Sequence, residues 1–167
     1  ENNEYEVVRI TKEGVKDICY LMNAVGNSET NETWYQDKFN TSFTGVSFVG
    51  YIAYHIETKE PAAFYGVFPC FMMCNGKKTL VAQSGDTVTN PKHQKKGLFV
   101  FLAQKTYSLS KDLGVELVFG FPNDKSKNIF YNRLNWIRNN DFVKYGFEVF
   151  SFPLNRIMRR LSLIEIY

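Results

Sequence analysis

Asn90-Pro91-Lys92-His93-Gln94-Lys95-Lys96-Gly97-Leu98 is the joint between two regular patterns. Before it, residues 79–89 read as a strand. After it, Leu98, Phe101, Leu102, Leu109 and Leu113 recur at helical spacing, and Gly114 stands where a helix-ending glycine belongs. Residues 115–121, Val-Glu-Leu-Val-Phe-Gly-Phe, are apolar nearly throughout, the pattern of a strand buried on both faces in parallel pairing. Strand, helix and strand in this order form a right-handed crossover. Lys92, Lys95, Lys96 and Gly97 crowd the first turn of the expected helix. A helix N-terminus offers unpaired N–H groups and partial positive charge, and a glycine lets an anion reach the backbone. The run therefore suits a phosphate or pyrophosphate cradle, and equally a solvated basic loop. It contains neither G-x-x-x-x-G-K-[ST] nor G-x-G-x-x-G, which excludes the common triphosphate and dinucleotide loops.

Working outward, residues 5–10 alternate as a first strand, and Thr11 is the expected cap of a helix over 14–24 with Val15, Ile18, Cys19 and Met22 as its apolar stripe. A short helix is expected over 33–39. Its Trp34, Tyr35 and Phe39 either pack it onto the sheet or wall a ligand pocket, since aromatic faces suit sugar rings. Residues 46–55 and 62–74 read as strands joined by a hairpin turn, with an edge or bulge expected at Pro69. Asn75-Gly76 signals a tight hairpin into a strand over 77–89. A fourth helix is expected over 123–134, capped by Asn123 or Asp124, with the last strands in 136–151. The fold class is α+β: a mixed, mostly antiparallel sheet with one parallel strand-helix-strand crossover, flanked by helices. Residues 1–152 form the domain. Residues 153–167 are expected to form a C-terminal amphipathic extension carrying Arg156, Arg159 and Arg160, read either as an exposed basic face or as a link to downstream sequence.

The 167 residues suffice for one domain with a real core, and 16% aromatic content argues against disorder. A net charge of +3 with scattered basic residues argues against a nucleic-acid partner. No apolar run is long enough to span a bilayer, and no signal-peptide pattern opens the chain. Three cysteines, an odd count, fit a reducing cytoplasm. Cys70 and Cys74 would lie about 13 Å apart along one strand, too far for a disulfide or a shared zinc. With only His55 and His93 to help, no metal site is expected.

Gln94-Lys95-Lys96-Gly97-Leu98-Phe99 resembles the Q/R-x-x-G-x-G/A signature of the GNAT N-acetyltransferase superfamily. Val88-Thr89-Asn90-Pro91 resembles its V-x-x-P approach, and Tyr131-Asn132-Arg133-Leu134-Asn135-Trp136 its Y-x-x-x-G-F ending. Ala82-Gln83-Ser84-Gly85-Asp86-Thr87, Lys96-Gly97-Leu98-Phe99 and Phe119-Gly120-Phe121-Pro122-Asn123 resemble a bacterial GNAT subgroup described as sugar-modifying acyltransferases. Phe99 stands where the family has Gly or Ala. Asn135 stands where it has a late glycine, and Asn tolerates the left-handed conformation.

The resemblance implies an acyl-CoA-dependent N-acyltransferase using acetyl-CoA on a small amine, an amino sugar or nucleotide sugar. It assigns cofactor binding to Val88, Thr89, Gln94, Lys95, Lys96, Gly97 and Leu98, with Asn123 and Ser126 touching pantetheine. The oxyanion donor is the backbone N–H of Val88 or its neighbour. Tyr131 is the general acid that protonates the coenzyme A thiolate. Asp86, a carboxylate inside a strand, is the candidate base. Trp34, Tyr35 and Gln83 are candidates for the acceptor site. The rival reading is a non-catalytic coenzyme A binding or sensing module.

Overall fold

The computed structural model describes residues 4–26 and 30–139. The chain divides into two units, Glu1–Ile137 and Arg138–Tyr167, and the elements named here all belong to the first. In order they are β1 (Tyr5–Arg9), α1 (Val15–Ala24), α2 (Glu32–Phe39), β2 (Val49–His55), β3 (Pro61–Cys74), β4 (Lys77–Thr89), α3 (Leu98–Asp112), β5 (Leu117–Gly120) and α4 (Lys127–Arg133). The sheet order is β1-β2-β3-β4-β5. The first three pairings are antiparallel and β4–β5 is parallel. This is the expected α+β class. The expected strands of 136–151 and the extension at 153–167 lie almost wholly outside the described residues.

Strand alternation sends successive side chains to opposite faces, and the sheet has a core on each. On one face Ala63, Tyr65, Val67 and Ala82 pack with Leu98, Leu102 and Ala103 of α3. On the other, Ile52, Phe64 and Val88 pack with Ile18 and Leu21 of α1 and Tyr35 and Phe39 of α2. Asn75 and Gly76 both have positive φ, as the tight hairpin requires. Pro69 lies beyond the last β2–β3 pair, Val49–Val67, so the flank it turns from β4 is an edge among the described residues, as expected.

β2 and β3 approach closely where Gly50 faces Gly66. A Cβ on Gly50 would stand 2.6 Å from the Tyr65 carbonyl oxygen and 2.8 Å from the Gly66 Cα. Backbone cannot step aside as a side-chain tip can. Gly50→Ala is expected to lower unfolding free energy by about 1–3 kcal/mol, read by urea denaturation. An unchanged midpoint would mean that the strands have room there.

Several local expectations are corrected. Gly14, not Thr11, caps α1, and the Thr11 hydroxyl instead accepts from the Gly14 N–H at 3.4 Å. α3 begins at Leu98, so Lys92, Lys95 and Lys96 lie in the preceding loop, Lys92 within a single 3-10 turn. β5 is not buried on both faces: among the described residues it pairs only with β4, and Leu117 is half exposed. α4 starts at Lys127 because Asn123 is spent on a turn of its own, its side-chain oxygen accepting from the N–H groups of Lys125 at 3.1 Å and Ser126 at 3.0 Å.

Candidate active site

β4 and β5 pair from Val81–Leu117 to Ser84–Gly120 and then part. Two local causes are visible. β4 carries one extra residue against β3 between the pairs Phe64–Val88 and Gly66–Gly85, and within this bulge Asp86 has φ 53°. A bulge bends its strand and re-aims its backbone groups. On the other arm, Pro122 lacks an N–H to continue a ladder, and the Asn123 turn leads away into α4. The fork holds a cavity of about 260 Å³, lined by Ser84, Gly85, Asp86 and Thr87 from one arm and by Gly120, Phe121, Pro122, Asn123, Ser126, Phe130 and Trp136 from the other side.

β4 keeps its partner β3 as far as Thr89–Ala63. Its other edge has no strand partner among the described residues from Gly85 to Thr89. Five residues offer about 16 Å of open backbone edge. That edge runs from the cavity to the loop before α3. In the loop, Lys95 and Gly97 adopt φ 63° and 78°. A Cβ on Gly97 would meet nothing within 4 Å, so the space over its backbone is open. The first N–H groups of the 15-residue α3 point into this region without intrahelical partners. Loop, open edge and fork form one continuous track for a long ligand with an anionic end, an amide-bearing arm and a reactive tip. On these observations the residues fit coenzyme A.

The loop is anchored from below. Glu60 accepts from the Tyr20 hydroxyl at 2.8 Å, from Asn90 Nδ2 at 3.2 Å and from Lys92 Nζ at 3.1 Å. The Tyr20 hydrogen bond, then Lys92, hold its carboxyl below the usual carboxylate range. Lys92 is therefore tied to the scaffold. His93 turns inward, with Nδ1 3.0 Å from the Tyr5 hydroxyl. Lys96 pairs with Glu4 at 3.2 Å, while Lys95 makes no hydrogen bond or ion pair among the described residues. Phe99 sends its ring into the core, edge-on to Tyr65 and to Phe130, each at 5.4 Å between centroids. The bulky residue at the glycine position thus leaves the turn open. Asn135 takes φ 54°, the left-handed conformation expected of it.

The structure brings Asp86, Asn123 and Ser126 to one cavity. Gln94, Lys95, Lys96 and Gly97 are exposed in the loop, with Leu98 buried just behind it, while Val88 and Thr89 form the open edge. Trp34 joins Asp86 through a residue that sequence reasoning missed: Lys38 Nζ hydrogen-bonds the Asp86 carboxylate and lies 4.5 Å from the Trp34 ring centroid. Tyr35 does not wall a pocket. It is 3% exposed, stacked on Phe39 at 6.3 Å, and burial, then the Asp86 charge, push its phenol up to about 12. Gln83 stands opposite Phe68 in register, outside the cavity lining. Tyr131 is half-buried on α4, and its neighbour Phe130, not Tyr131, lines the cavity.

Also missed was a buried chain behind the fork. Trp136 Nε1 donates to the Tyr107 hydroxyl at 3.0 Å, which lies 2.7 Å from the Tyr65 hydroxyl, itself 2.7 Å from Ser84 Oγ. Burial pushes both phenols up, so they remain protonated donors. Their partners are distant in sequence, and no local motif announces them.

Among the described residues one parallel pair of a mixed sheet splays beside a basic, glycine-bearing helix start, an arrangement that suits an acyl-CoA ligand. The acetyltransferase (GNAT) domain profile matches residues 7–138. The chain belongs to this family and is a GNAT-type N-acetyltransferase. Solved structures agree on the fold. A Trypanosoma brucei acetyltransferase superposes with TM-score 0.66 at 14% identity, covering 86% of this chain and 99% of its own. Glucosamine-6-phosphate N-acetyltransferase from Arabidopsis thaliana gives 0.65 at 11%, covering 86% and 99%. An aminoglycoside acetyltransferase from an uncultured soil metagenomic sample, in complex with sisomicin, gives 0.61 at 13%, covering 90% and 99%. No curated protein sequence matches the chain. Among the described residues no helix is long and apolar enough to cross a membrane.

Proposed function

We propose that the protein transfers an acetyl group from acetyl-CoA to a small primary amine, and that the acceptor is an amino sugar. The observation that carries this is the unpaired edge of β4 from Gly85 to Thr89, which connects the Asp86 cavity to the Lys95–Gly97 loop. An extended amide chain adds to such an edge as a strand would. Val88 and Thr89 would hold the pantetheine arm, and Gln94, Lys95, Lys96, Gly97 and Leu98 the pyrophosphate. Asn123 and Ser126 line the far side of the cavity and would touch the arm there. The choice of an amino sugar draws on the subgroup resemblance and on two structural neighbours named for glucosamine-6-phosphate and aminoglycosides.

Acetyl-CoA supplies an activated thioester carbonyl. The Asn90 N–H donates to the Ala62 carbonyl, so by ladder alternation Val88 faces β3 and it is the N–H of its neighbour Thr87 or Thr89 that would donate to the carbonyl oxygen as charge develops there. A new N–C bond forms and the C–S bond breaks. The acceptor ammonium sheds two protons overall. Asp86 takes one and passes it to solvent. The other replaces the proton that Tyr131 gives to the leaving thiolate.

Titration calorimetry with acetyl-CoA, followed by thiol-release assays with glucosamine, glucosamine-6-phosphate and propylamine, tests the reading. Micromolar acetyl-CoA binding and coenzyme A release with an amino sugar are expected. Absence of acetyl-CoA binding would refute it. Tyr131→Phe is expected to lower kcat by about 10²-fold while acetyl-CoA affinity stays constant. Unchanged turnover would remove Tyr131 from the proton path.

A further inference from the structure

Lys38 sits in the last turn of α2. Its ammonium is held on three sides: by the Asp86 carboxylate, by the Trp34 face at 4.5 Å and by the Phe68 face at 4.5 Å. The Lys38 and Asp86 side chains are 28% and 24% exposed, so the contact lies at a rim and not in the core. Asp86 also lines the fork cavity. A primary ammonium is thus already bound on a carboxylate that also lines the cavity, by that carboxylate and two aromatic rings, the combination that selects a cationic amine over a neutral hydroxyl or amide.

We infer that Trp34, Phe68 and Asp86 form the subsite for the acceptor's ammonium group, and that Lys38 occupies it as an internal stand-in until an acceptor arrives. This inference rests on the acetyltransfer reading above and names the acceptor class more narrowly: a primary amine that docks in its protonated form. Two structural facts make the exchange feasible. The pair is about three-quarters buried, so Lys38 leaves cheaply only when another ammonium takes its contacts and keeps Asp86 paired, as an acceptor's would. Lys38 is also on a long flexible stem at a helix end, so it can swing out without moving α2. Asp86 then meets the acceptor's ammonium at the position from which it takes a proton.

An internal occupant weakens the apparent affinity of any outside ligand by the fraction of sites it holds. Lys38→Met keeps the stem and removes the charge. In calorimetry with coenzyme A present, glucosamine hydrochloride is expected to bind Lys38→Met about fivefold more tightly than the wild-type chain. Lys38→Arg, which keeps a cation, is expected to show no gain. Neutral N-acetylglucosamine is expected to distinguish none of the three. Trp34→Leu, added to Lys38→Met, is expected to reverse the gain.

Weaker glucosamine binding by Lys38→Met, or an equal gain for N-acetylglucosamine, would overturn the inference, since Lys38 would then be a support for Asp86 or a simple steric plug. So would enzymatic acetylation of Lys38 itself, found by peptide mass spectrometry, because the lysine would then be an acceptor. Failure of the acetyltransfer reading shows separately, as loss of acetyl-CoA binding in the wild-type chain.

Discussion

Asp86→Asn is expected to lower kcat by about 10²- to 10⁴-fold while leaving acetyl-CoA affinity unchanged. The expectation follows from the proposal that this carboxylate accepts the acceptor's proton. Asp86 occupies the extra position of the β4 bulge at φ 53° and lines the cavity where the strands part. Asn is nearly isosteric with Asp and equally tolerant of the left-handed region, so the bulge survives the substitution. A carboxamide cannot take a proton, and its oxygen holds the Lys38 ammonium without a full charge. The change therefore removes the base and weakens the cation subsite together. The measurement is kcat and KM for glucosamine against pH, beside acetyl-CoA calorimetry on the same preparation. Turnover within threefold of wild type would exclude Asp86 as the base. Loss of acetyl-CoA binding would show that the bulge itself had collapsed.

Lys95→Ala/Lys96→Ala is expected to weaken acetyl-CoA binding by about 10²-fold with no change in melting temperature. Each lysine can give a charge-assisted hydrogen bond to phosphate, stronger than a neutral one by roughly twofold. Lys95 is exposed in a left-handed backbone conformation and makes no hydrogen bond or ion pair among the described residues. Lys96 is half exposed and ion-paired with Glu4, a pairing of the kind that contributes little and yields easily to a doubly charged pyrophosphate. Lys92 is the internal control, because Glu60 already claims its ammonium. Lys92→Ala is expected to loosen the loop and not to abolish the cradle. Raising ionic strength should weaken wild-type binding more than that of the double variant. Equal affinities for the two would place the pyrophosphate elsewhere.

Much of the fold was legible because the patterns are local. The strand at 77–89 was read with the bounds the structure gives to β4, since Asn75-Gly76 marks one end and Pro91 the other. The end of α3 was read closely from the left-handed Gly114, but its start was read too early, because Lys92, Lys95 and Lys96 were credited to a first turn that begins only after the left-handed Gly97. The helix over 123–134 was read too long because Asn123 was credited with capping α4, whereas it closes the turn before it. β5 was read as doubly buried from apolar composition, yet composition does not report which neighbours a strand finds. Lys38 passed unnoticed. A lysine at the end of a short amphipathic helix reads as a solvated charge, and its partner Asp86 lies 48 residues away.

By itself, the sequence determined the order of elements, the one crossover, the basic glycine loop and the kinship carried by Gln94 to Phe99. These rest on neighbours within a turn or two, where spacing and backbone preference act directly. Only the tertiary structure decided where β4 and β5 part, that Phe99 turns away from the loop, that Tyr35 is core, and that Trp34, Phe68, Lys38 and Asp86 meet. Those outcomes depend on a single-residue bulge and on contacts between segments far apart in the chain. Such contacts are selected by the packing of the whole sheet; Trp34 and Lys38 are neighbours on one helix, but Phe68 and Asp86, which complete the cluster, lie far from them in the chain.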